Sequence, residues 1–155
     1  MNSEKLIKKL IKIKDKKEQI SLLEKHKNLL SVEFARNLKN TYYDSWTKEP
    51  QKTRNAATAL EVLAKILPDE EINALEKWVN GIADLTEGKL EKAVRDLDKS
   101  AEIFQKTDRE HDAAQTQVAK LIALALLGKY KEAVATGKNA LKIFEKFGDE
   151  LAAGK

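Results

Sequence analysis

Apolar residues recur at three- and four-residue steps along most of this chain, the spacing that lays a single stripe on an α-helix. Leu6, Ile7, Leu10 and Ile11 share one face after Ser3, which is read as an N-cap, and Ile20, Leu22 and Leu23 mark a second helix before Leu29 and Leu30. Together they predict a helical cap over 4–27. From Ser31 the stripe is Val32, Ala35, Leu38, Tyr42 and Trp46, and Thr47-Lys48-Glu49-Pro50 breaks it. Pro50 suits the first turn of the next helix, which turns Ala56, Leu60, Leu63, Ala64 and Leu67 inward. Asp69 caps a helix over 70–86, Gly88 turns the chain, and 90–106 returns. Asp108 is read as the N-cap of a helix to Leu127, Gly128 as the next turn, and Gly148 as the glycine that closes the last helix.

The pattern also repeats at longer range. Gly88-Lys89-Leu90-Glu91-Lys92-Ala93-Val94 is answered 40 residues later by Gly128-Lys129-Tyr130-Lys131-Glu132-Ala133-Val134, and Ile103-Phe104 by Ile143-Phe144. An earlier stripe, Ala56, Leu60, Leu63, Ala64 and Leu67, matches Ala93, Leu97, Ser100, Ala101 and Phe104 at an offset of 37. A fixed period in this range marks stacked helix pairs, each burying its apolar face against its neighbours. The expected fold is therefore all-α, an α-solenoid of antiparallel helix pairs in one domain over 1–155. Its repeats fall at 31–67, 70–106 and 108–148. Glu150 to Ala153 read as the first turn of a further helix, so the array is expected to be a fragment of a longer one.

Small residues, a Gly turn, then Leu or an aromatic followed by Ala recur as Gly81, Ala83, Gly88, Leu90 and Ala93, and again as Ala123, Gly128, Tyr130, Ala133 and Ala140. This resembles the tetratricopeptide repeat, in its longer-helix variety. More closely, Glu76-Lys77-Trp78-Val79-Asn80-Gly81, Ala113-Ala114-Gln115-Thr116-Gln117-Val118 and Ala123 to Tyr130 are similar to the amino-terminal repeats of bacterial CHAT-domain proteins. Those proteins join such repeats to a caspase-like protease. The resemblance covers about residues 75–155 and implies a recognition or regulatory arm, with a protease domain as a possible partner in the same longer chain. That protease needs a His and a Cys, and this chain has no cysteine.

Composition narrows the chemistry. The absence of cysteine removes disulfides and thiolate metal sites, and fits a cytoplasmic setting. The longest apolar run, Leu121 to Leu127, is too short to span a bilayer. His26 and His111 have no second His or Cys to complete a metal pair, and the acidic residues sit among lysines at helix-surface spacing. No catalytic residue, cofactor or metal is expected. The formal charge is +4, but residues 1–30 hold nine lysines against Glu4, Asp15, Glu18 and Glu24, a local net of +5. These basic helices are either a solvated face or a surface for nucleic acid or an anionic membrane.

Laying the first helices over one another at 40 gives three columns: Asn37, Lys77 and Gln117; Asn40, Asn80 and Lys120; Asp44, Asp84 and Leu124. These positions share a helical face. The strip is either solvated surface or the concave floor of a groove, where amide groups would hold the backbone of an extended peptide. Trp78, one residue from Lys77, is a candidate aromatic anchor. Lys120 is the only charge from Val118 to Leu127, and an ion pair with Asp84 or a bond to Asn80 competes with a ligand role there. A third use of the chain is self-association through an open carboxy-terminal end.

Overall fold

The computed structural model describes residues 1–45 and 48–148, apart from the side chains of 44 and 45. Trp46, the Asp44 side chain and the helical turn expected at 150–153 lie outside the described residues. Among those described there are eight α-helices, one short 3-10 turn at Lys27–Leu29, and no strand. The helices are α1 (Ser3–Leu10), α2 (Lys16–Lys25), α3 (Val32–Ser45), α4 (Pro50–Ile66), α5 (Glu70–Thr86), α6 (Leu90–Lys106), α7 (Glu110–Leu126) and α8 (Tyr130–Lys146). The chain divides inside α5 into two compact units, Met1–Val79 and Asn80–Lys155.

In the first unit α1, α2 and α3 pack on α4. The core is Leu6, Leu10, Leu23, Phe34, Leu38, Tyr42, Leu60, Leu63, Ile72, Leu75 and Trp78, all at most 1% exposed. Four helix starts follow from side-chain caps; at α5 Asp69 Oδ1 accepts from Glu71 N at 2.8 Å and Ile72 N at 3.2 Å, as the sequence predicts. Asn2 accepts from Lys5 N, Asp15 from Lys17 N and Ser31 Oγ from Phe34 N, so the cap of α1 is Asn2 rather than the expected Ser3. Two buried amides fasten the α1–α2 hairpin to α4. Gln19 Nε2 donates to Ile13 O at 3.0 Å and Asn55 O at 2.9 Å, and Asn55 Nδ2 donates to Ile11 O at 2.8 Å.

In the second unit α7 packs between α6 and α8. Helices α5 to α8 are each 17 residues long and begin 20 residues apart. Each turn that follows carries one left-handed residue: Gly88 (φ 79°), Asp108 (φ 58°), Gly128 (φ 79°) and Gly148 (φ 71°). The 40-residue period is thus two identical helix-plus-turn steps. Asp108 was expected to cap α7, but it occupies the place that glycine holds in the other turns. The amide after it, Arg109 N, closes back on Phe104 O at 2.7 Å, as Lys129 N does on Leu124 O at 2.9 Å. The inward stripe of α6 is buried as the period requires: Ala93, Leu97, Ser100, Ala101 and Phe104 are at most 6% exposed.

Candidate functional site

The second unit holds a cleft of about 180 Å³ where α6, α7 and α8 meet. Its floor is small, Ala113, Ala114 and Ala140, over the buried ring of Phe144. Alanine at these positions lets the helices approach closely, so the polar groups around the rim converge. They are Gln105 from α6, Gln117 and Lys120 from α7, and Thr136 and Asn139 from α8. Two are column residues of the sequence reading, Gln117 and Lys120, which lie three residues apart on one face of α7.

Gln117 Nε2 is buried in this cleft and has no hydrogen-bond partner among the described residues. A buried donor left without an acceptor costs about 1–3 kcal/mol. Lys120 is half-buried and its Nζ lies 2.8 Å from Asp98 Oδ1 on α6. Its partner is therefore Asp98, neither Asp84 nor Asn80 as expected from the sequence. Three amides, a hydroxyl and an ammonium around 180 Å³ fit one or two residues of extended backbone, not the ~300–1,000 Å³ of a cofactor site.

The other column residues go elsewhere. Asn37 and Asn40 are exposed on α3, and Asn37 with Thr41 lines a separate 770 Å³ cavity shared with Lys8, Lys12 and Lys52. Lys77 is half-buried, 3.3 Å from Glu76. Trp78 is not an anchor at a groove edge, because it is 1% exposed. The 100° step from Lys77 turns it into the core, where it meets Tyr43 edge-on at 5.6 Å and Lys39 Nζ sits 4.4 Å from its ring centre. Burial in that cluster pushes the Tyr43 hydroxyl well above the ordinary tyrosine range.

Asn80 and Asp84 are also buried, at 6% and 2% exposure. Lys92 Nζ bridges Asp84 Oδ2 at 3.0 Å and Asp96 Oδ2 at 3.2 Å. Burial, and then the neighbouring Asp96 carboxyl, push Asp84 up to about 6 against the opposing pull of Lys92. The hydrogen bond to Asp84 in turn raises the Lys92 ammonium. This triad joins α5 to α6 and has no open face for a ligand at Asp84.

Gln105, Thr136 and Asn139 escaped the sequence reading because only first helices were laid over one another. A signal for the α8 pair was available: Thr136 and Asn139 are three residues apart and flank the inward stripe of Ala133, Ala140 and Phe144. His111 is half-buried, edge-on to Phe144 at 5.4 Å and Phe147 at 5.6 Å. Among the described residues no group of three His, Asp or Glu side chains is placed to hold a metal, and no helix is long and apolar enough to cross a membrane. Comparison with protein-family models, with curated proteins and with solved structures returns no match.

Proposed function

We propose that this chain is a helical-repeat binding scaffold, without catalytic chemistry of its own, that holds an extended peptide in the cleft between α6, α7 and α8. The observation that carries the reading is the buried, unpartnered Nε2 of Gln117 beside Lys120. A peptide carbonyl supplies the missing acceptor, and Gln105 and Asn139 can each donate to and accept from the same backbone. The exposed part of the Lys120 ammonium faces a carboxylate of the ligand. The tetratricopeptide-like repeats support this use, and the likeness to CHAT-domain proteins extends it to a recognition or regulatory arm of a larger protein.

The test is selection from a random dodecapeptide phage library on the immobilised chain. Selected peptides should bind the wild type and lose about tenfold or more in affinity to Gln117→Leu with Lys120→Ala, from the loss of about 1.5–3 kcal/mol of charge-assisted bonding. Equal binding to both proteins, with unchanged helicity, would contradict the cleft.

One observation favours a second reading, self-association. Val118, Ile122 and Leu126 on α7 are 44%, 44% and 64% exposed, and Tyr130 and Val134 on α8 are 67% and 56% exposed. Residues 40 positions earlier, Trp78 and Ile82, are 1% and 4% exposed, so the same register elsewhere in the chain is covered. A second copy would cover this face. Sedimentation should show a concentration-dependent dimer that Leu126→Lys abolishes, whereas a monomer at every concentration excludes it.

A further inference from the structure

The outer side of the α1–α2 hairpin carries a groove that the peptide cleft does not use. It is shallow and open, about 650 Å³, with the half-buried Ile13 and Leu22 as its apolar part and Lys9, Lys12, Lys17 and Lys25 lining it. None of these four ammonium groups has an ion-pair or hydrogen-bond partner among the described residues, whereas the neighbouring Lys8 and Lys16 are paired to Glu4 and Glu61. Glu18 is the one acid in the groove, so its lining is strongly positive. Cations held around a shared apolar patch repel one another until an anion lies between them.

We propose that this groove docks an acidic amphipathic helix from another protein. The number and spread of the cations decide its chemistry. They come from both sides of the hairpin, so one carboxylate satisfies at most one side, whereas a helix with Glu or Asp flanking an apolar stripe reaches both. Nucleic acid offers no apolar face for Ile13 and Leu22, and the lining has no Arg or aromatic side chain to stack on bases. An anionic bilayer is met by exposed apolar side chains that insert among lipid chains, and Ile13 and Leu22 are both half-buried. The groove takes the partner's apolar stripe while the lysines set orientation and speed of encounter.

The probe is a fluorescein-labelled helical peptide of Leu, Glu and Ala, with Leu on one face at three- and four-residue steps. A twin peptide carries Lys in place of Glu, and phosphatidylserine vesicles test the bilayer. Anisotropy should show binding of the acidic peptide alone, weakening several-fold as salt rises from about 50 to 500 mM. Lys12→Glu with Lys17→Glu should weaken it at least about tenfold, with helicity unchanged by circular dichroism. Lys12→Gln with Lys17→Gln, a milder pair, should fall between. Absence of binding, equal binding of both peptides, indifference to both variants, or binding to vesicles without binding to the acidic peptide each overturns the proposal.

Discussion

The Asp84–Lys92–Asp96 triad gives a prediction whose sign follows from the burial of Asp84. Asp84 is 2% exposed, and its carboxyl is pushed from an ordinary 3.8 to about 6. At about 1.4 kcal/mol per pH unit, ionising it in the folded chain costs at most about 3 kcal/mol. Because the folded value is raised, the stability linked to this group is fully present below pH 3.8 and is lost as pH rises through about 6. Asp84→Asn keeps the shape and an acceptor for Lys92 but has nothing to ionise. Urea denaturation of wild type and variant in parallel cancels the titration of the carboxylates outside this triad. The variant should therefore gain on the wild type by about 2–3 kcal/mol between about pH 4 and pH 8, with most of the change falling between about pH 4 and pH 6. A constant difference across that range, or a wild type that gains on the variant as pH rises through about 4, would mean that Lys92 holds Asp84 ionised, and the argument from burial would fail.

Three further outcomes test the packing. A Cβ on Gly81 would lie 2.6 Å from Leu97 Cγ, against the buried stem of that side chain, whereas one on Gly137 would meet only Leu121 Cδ1 at 2.8 Å, a methyl that can rotate away. Gly81→Ala should therefore lose about 1 kcal/mol and Gly137→Ala should gain about 0.5 kcal/mol in urea melts, since overpacking outweighs helix propensity only at the first. Asp108 is strained at φ 58°, so Asp108→Gly should gain up to about 1 kcal/mol, and a loss would show that its side chain contributes more than its backbone costs. Gln19→Ala removes the donor shared by the carbonyls of Ile13 and Asn55 and leaves a cavity; it should cost about 2–4 kcal/mol and speed hydrogen exchange first in α1 and α2, and protection equal to wild type there would remove the staple.

The helices and their inward faces were legible because burial imposes the 3.6 period on side-chain choice. Leu97, Ala101 and Phe104 announce their side of α6 without any structure. What the sequence hid has physical causes. Asp108 is a good N-cap residue by chemistry, and that property masked its place in the 20-residue spacing of left-handed turns, which only Gly88, Gly128 and Gly148 advertise. Columns at the 40-residue period show which positions are equivalent in the repeat, not which are exposed. Thus Asn37 is exposed and Gln117 half-buried, while Asn80 and Asp84 in the same strip are buried. Trp78 is large enough to anchor a ligand or a core, and one residue of helical rotation decided for the core. The cleft was half visible, through Gln117 and Lys120, because its other half comes from second helices that carry no shared polar signature.

Side-chain amide resonances offer the most direct test of the peptide cleft. In a ¹⁵N-labelled chain titrated with a phage-selected peptide, the NH₂ signals of Gln105, Gln117 and Asn139 should shift together, with Gln117 moving downfield as its Nε2 gains an acceptor. Shifts confined to other surfaces, with these three signals unmoved at saturation, would contradict the claim that this cleft holds the ligand.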